Sequence, residues 1–195
     1  MGTFLQLLLL AAVVDNLVLA RLFGLPALVA DHAGQAGALH RRVAGTSLAV
    51  LIVIPAAWML QHYLLQPWRL EHLRVLLLAL LALLAAAAMT RVFDLADAAR
   101  GRHDEVLRVA GTVVLLGAVL SPASVVGDSL LHACARGLGT AVGFAIAAHA
   151  LDAIGERLAT APVPAAFRGL PVSLLAAGLF ALGLGAFAAG GLDPS

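Results

Sequence analysis

Residues 73–93 read LRVLLLALLALLAAAAMTRVF, with arginine near either end and no charge between Arg74 and Arg91. A run of roughly 20 apolar residues is long enough to cross the hydrocarbon core of a bilayer as a helix. Leucine and alanine are strong helix formers, and the alternation of a barrel strand is missing. Working outward, five further apolar stretches stand out, at 3–29, 43–65, 106–131, 137–154 and 170–190. Short loops join them and hold most of the charges. The expected fold is an all-α membrane protein of six transmembrane helices, forming one domain over residues 1–195.

Composition agrees. The chain is 62% hydrophobic and 12% charged, about half the charge with which a soluble domain covers its surface. Six spans nearly exhaust 195 residues, so no soluble catalytic module fits. A net charge of +1 gives no basis for binding nucleic acid. The first charged residue is Asp15, so the basic n-region of a signal peptide is missing and the first apolar stretch reads as a retained helix.

Arginine is distributed unevenly. The first, third and fifth loops carry eight (Arg41, Arg42, Arg91, Arg100, Arg102, Arg108, Arg157, Arg168), and the second and fourth carry three (Arg69, Arg74, Arg136). The positive-inside rule places the odd loops in the cytoplasm and both termini outside.

The chain also resembles itself. Gly45-Thr46 and Gly139-Thr140 are 94 residues apart, as are Arg74 and Arg168, while Pro26-Ala27 and Pro122-Ala123 are 96 apart. This spacing predicts two repeats, about 1–95 and 104–195. Three spans per repeat force the two into opposite orientations, the inverted plan of many transport proteins. Breakers fall at matching places: Gly24 and Pro26 in the first stretch, Gly117, Ser121, Pro122 and Gly127 in the fourth. Broken backbone at membrane depth survives only inside protein or beside water, so the first and fourth helices are expected to meet as broken helices. Pro55 has no counterpart and reads as a simple kink.

Candidate functional positions are the intramembrane polar residues and breaks: Asp15, Asn16, Gly24, Pro26, Ser121, Pro122, Ala123 and Asp128. A carboxylate in mid-span is costly and marks either an ion or proton path or a buried hydrogen bond. His149 with Asp152, and Asp128 with His132, have the spacing of one helix face. Gly139 and Gly143 permit close helix contact, as do Gly183, Gly185, Gly190 and Gly191. The only cysteine, Cys134, excludes an internal disulfide and reads as a small buried apolar residue. Gly127-Asp128-Ser129-Leu130 spells a serine-hydrolase signature without the strand–turn–helix setting that chemistry needs.

Glu156-Arg157-Leu158 and Pro162-Val163-Pro164-Ala165-Ala166-Phe167-Arg168-Gly169 carry a resemblance, together with Asp15-Asn16-Leu17-Val18-Leu19, Phe23-Gly24-Leu25, Leu73-Arg74 and Ala141-Val142-Gly143-Phe144. Over nearly its whole length the chain resembles the Rnf/Nqr membrane-subunit family, of the RnfA and NqrE type. The resemblance implies a subunit of an ion-translocating electron-transport complex in the bacterial inner membrane, itself at most a non-catalytic part of the oxidoreductase. It implies six helices in two inverted triplets, periplasmic termini, and a homologous partner of opposite orientation among other Rnf/Nqr-type subunits. Family members place one cysteine in each broken helix and, with the partner's pair, hold an iron–sulfur cluster. Here Pro26 and Ala123 stand at those positions, so the family's 2Fe-2S site is expected to be lost and no cofactor is expected on this chain alone. The Ala85–Ala88 run stands where the family often carries polar residues. The alternative is a small independent inverted-repeat transporter, or a structural scaffold, in the lipid bilayer.

Overall fold

The computed structural model describes residues 6, 8, 9, 11, 12, 36–68, 71–97, 105–120, 129–164, 167 and 169–191. Among these there is no strand. Five α-helices follow one another: α1 (Ala36–Met59), α2 (Arg74–Asp97), α3 (Glu105–Leu120), α4 (Leu130–Thr160) and α5 (Leu170–Gly191). A π-helical turn (Leu60–Leu65) extends α1, and a 3-10 turn (Glu71–Leu73) leads into α2.

The core forms where helical stripes meet. On α1 the buried positions Val43, Val50, Val53, Ile54, Ala57 and Trp58 share one broad face. On α2 the stripe is Leu78, Ala82 and Ala86, spaced by four. On α3 it is Val114, Leu115, Ala118 and Val119, and on α4 Ala141, Phe144, Ala147, Ala148 and Leu151. The longest interface joins α1 to α4; α2 and α3 pack together and against α1, and α5 touches α4. Among the described residues of α5, only Ala177 is fully buried.

Outside this core the molecule is apolar. Ile52 is 61% exposed, Leu76 66%, Ile146 61% and Leu182 72%. Bilayer tails are as apolar as leucine, so such a surface is at rest in lipid and not in water. Val43–Leu65 and Leu130–Leu158 are each long and apolar enough to cross the membrane. The chain is a multi-pass membrane protein.

Helix boundaries correct the sequence reading in one place. The fourth stretch was expected to run to 131 and the fifth to begin at 137, with Arg136 in a loop. Instead α4 begins at Leu130 and runs 31 residues through Arg136. At ~1.5 Å per residue α4 is ~46 Å long, against a hydrocarbon core of ~30 Å. Its ends therefore reach the headgroups, where His132, Arg136 and Arg157 cost little. The other helix starts and stops have local causes. Proline at 162 and 164 cannot continue α4. Gly169 has φ +90, a conformation that favours glycine, and its carbonyl accepts from Ser173 N (3.3 Å) and Ser173 Oγ (3.2 Å) as α5 begins.

Candidate functional site

Eight positions were expected to carry function, and Asp15, Asn16, Gly24, Pro26, Ser121, Pro122, Ala123 and Asp128 all lie outside the described residues. What the structure places is their surroundings. The first segment enters the bundle across α4. A Cβ on Gly139 would overlap the Leu8 carbonyl oxygen and stand 2.9 Å from Ala11 Cβ. A Cβ on Gly143 would overlap the Ala12 carbonyl oxygen and stand 2.8 Å from Ala12 Cα. The Gly139/Gly143 pair thus serves contact within the chain. Moving from Leu8 to Ala12 advances from Gly139 to Gly143, so the first segment and α4 run in the same direction.

Leu120, the last described residue of α3, and Ser129 flank the stretch in which the second break is expected. Ser129 is extended (φ −144, ψ 148), and its Oγ accepts from the His132 backbone N–H at 3.4 Å. It is an N-cap, so the Gly127-Asp128-Ser129-Leu130 string ends in a helix start.

A polar stripe that sequence reading missed lies along α1. Val43, Ser47, Val50 and Ile54 recur on one face toward the core, and Thr46 and Gln61 are buried as well. Ser47 Oγ and Gln61 Oε1 are buried with no hydrogen-bond partner among the described residues. Gln61 sits in the π turn, where Gln66 N donates to the Gln61 carbonyl at 3.1 Å. Such turns recur at functional sites. Pro55, expected to make a simple kink, lies inside α1, and the π turn follows five residues later. Gln61 stands between Leu60 and His62 close to where the apolar stretch ends, so its burial had no signature in the sequence. Beside it Trp58 stacks on His62 (4.9 Å between centroids, 10° between planes), and Tyr63 meets both edge-on. Trp58 is buried while His62 and Tyr63 are exposed, a combination suited to anchoring a helix end at the membrane surface.

Chemically, Ser47 and Gln61 are neutral acceptors. They can take a hydrogen bond or ligate a desolvated cation, but an amide does not relay protons at ordinary pH. No group of three or more His, Cys, Asp or Glu side chains could hold a metal among the described residues. Cys134 is exposed, which overturns the expectation of a buried core residue. It shares an outward stripe with Leu138, Val142 and Ile146, because a face toward lipid welcomes a small soft thiol as a core does. His149 continues that stripe, whereas Asp152 is half-buried. Gly183 and Gly185 have nothing within 4 Å among the described residues, unlike Gly139 and Gly143.

No protein-family model matches the chain. Curated relatives match it end to end. It is 32% identical over 198 residues to the A-type subunit of the ion-translocating oxidoreductase complex of Syntrophotalea carbinolica, covering 100% of both chains. The protein of the same name from Cereibacter sphaeroides is 30% identical, again over 100% of both. That from Azoarcus is 29% identical, over 96% of this chain and 97% of the relative.

Proposed function

The chain belongs to the family of A-type subunits of the ion-translocating oxidoreductase complex, and on that premise we propose that it is an integral membrane component of an Rnf/Nqr-type complex that supplies no ligand to an iron–sulfur cluster. The observation that carries this reading is the 32% identity over the full length of both chains. Partners would be a homologous subunit of opposite orientation and the other subunits of the complex. The setting is the bacterial inner membrane, with both termini on the outer face.

One feature of the bundle fits the alternating spans that the inverted six-helix plan requires: spans one and five of such a chain point the same way, as residues 8–12 and α4 do. The cluster does not fit the donor set: four-thiolate ligation needs cysteine at the breaks, where this chain has Pro26 and Ala123. Its one thiol, Cys134, lies on the outward stripe of α4, away from the expected breaks in sequence. The chain's own contribution is therefore to hold partner subunits and to line part of an ion path, for which the α1 acceptors and the two breaks are available.

Affinity purification of the tagged chain from native membranes tests this. Stoichiometric Rnf-type subunits should accompany it, and Cys134→Ser should leave iron content and the low-temperature radical signal unchanged. Recovery of the chain alone would refute the subunit role. Loss of iron in the Cys134→Ser complex would refute the absence of ligands.

A further inference from the structure

Between α1 and α2 runs a groove of about 270 Å³, lined by Gly45, Leu48, Ala49, Ile52, Val53, Ala85, Ala88 and Met89. No lining residue is polar. Val53 lies buried at its base, Gly45, Ala49 and Ala85 are half-buried along it and Ala88 stands at its exposed rim, so two small residues of α2 leave the groove open. Leu48 is 59% exposed and Ile52 61%, so the groove opens toward the bilayer. Two residues beyond Met89 stands Arg91, which is exposed. On α1, Arg41 stands four residues before Gly45 along the helix. The sequence thus places arginine at the same end of the apolar slot on both helices.

We propose that this groove holds an acyl chain of an anionic phospholipid whose phosphate is met by Arg91. A partner helix, ~10–12 Å across with its side chains, needs a broader trough. An acyl chain is thinner and carries no backbone donors to satisfy. The arginines supply the reason for an anionic headgroup, since arginine pairs with phosphate through its planar fork. By the loop tally these arginines belong to the first and third loops, the cytoplasmic side, whose leaflet is rich in anionic lipid.

Native mass spectrometry of the purified full chain tests this. The detergent is supplied with equal amounts of dioleoylphosphatidylglycerol and dioleoylphosphatidylcholine. The phosphatidylglycerol adduct should dominate. Arg91→Gln, a surface change that leaves folding intact, should lower that preference about five-fold, the contribution of one basic residue near a charged surface. Ala88→Leu should fill the slot and reduce both adducts while Arg91 still faces the headgroups. Equal retention of the two lipids in the wild-type chain would overturn the proposal. So would Ala88→Leu binding lipid as the wild type does, or loss of the lipid whenever partner subunits are bound, which would make the groove a helix-docking face.

Discussion

Gly139 and Gly143 hold positions that no larger residue can take, because backbone atoms of Leu8 and Ala12 occupy the space of their missing side chains. Lipid offers no hydrophobic drive for helices to associate, so close backbone packing does that work. Gly139→Leu should destabilise the bundle by ~1–3 kcal/mol, the usual cost of overpacking. Gly183→Leu, with nothing within 4 Å among the described residues, should stay within ~0.5 kcal/mol in the isolated chain. Thermal unfolding in detergent checks the pair. Gln61 makes the opposite case. Its Oε1 is buried without a donor among the described residues, a state that costs ~1–3 kcal/mol. Gln61→Met should therefore raise the melting temperature of the purified chain; a drop would mean that the amide has a partner and is already satisfied. Glycines at helical spacing announced close contact in the sequence, but which of them would be filled from within the chain was not legible. That depends on which helix arrives, and the α4 and α5 series look alike as strings.

At the scale of the element, α4 teaches the most. Hydropathy ended one stretch at 131 and began another at 137 because His132 and Arg136 lower the local average. The cap that starts the helix, Ser129, lies upstream of both. Ser129→Ala should cost ~1 kcal/mol and speed hydrogen exchange at Leu130–Ala133, while the α4 residues beyond Gly137 keep their protection. The loops that end on proline or on Gly169 were legible because those residues exclude a continuing helix whatever packs around them. Helices from 43–65, 73–93 and 170–190 were legible for a similar reason: in lipid every backbone donor must be satisfied locally, so length and apolarity alone decide. The π turn at Leu60–Leu65 was not, since one extra residue per turn leaves no trace in composition. The eight candidate functional positions were chosen as expected breaks and intramembrane polar groups, and they fall outside the described residues.

Taken whole, the molecule is a bundle with α1 and α4 at its centre and leucine on both its inside and its outside. Such a distribution needs apolar surroundings, lipid or partner helices, and it follows from a chain with 62% hydrophobic and 12% charged residues. The direction of each span is what would give the family assignment its mechanical meaning: in the proposed plan, two oppositely inserted triplets would bring the broken helices together, and a partner of inverted orientation would complete them. Eight arginines against three by the sequence count, and residues 8–12 that run in the direction of α4, are both compatible with that plan. Its most direct test is the side on which the ends lie. In a Cys134→Ser background, Gly2→Cys and Ser195→Cys chains are exposed to a membrane-impermeant maleimide from the periplasmic face. Both ends should label from that face without disrupting the membrane. Labelling of one end only, with the other reached after permeabilisation, would contradict the inverted arrangement and the placement of the breaks that depends on it.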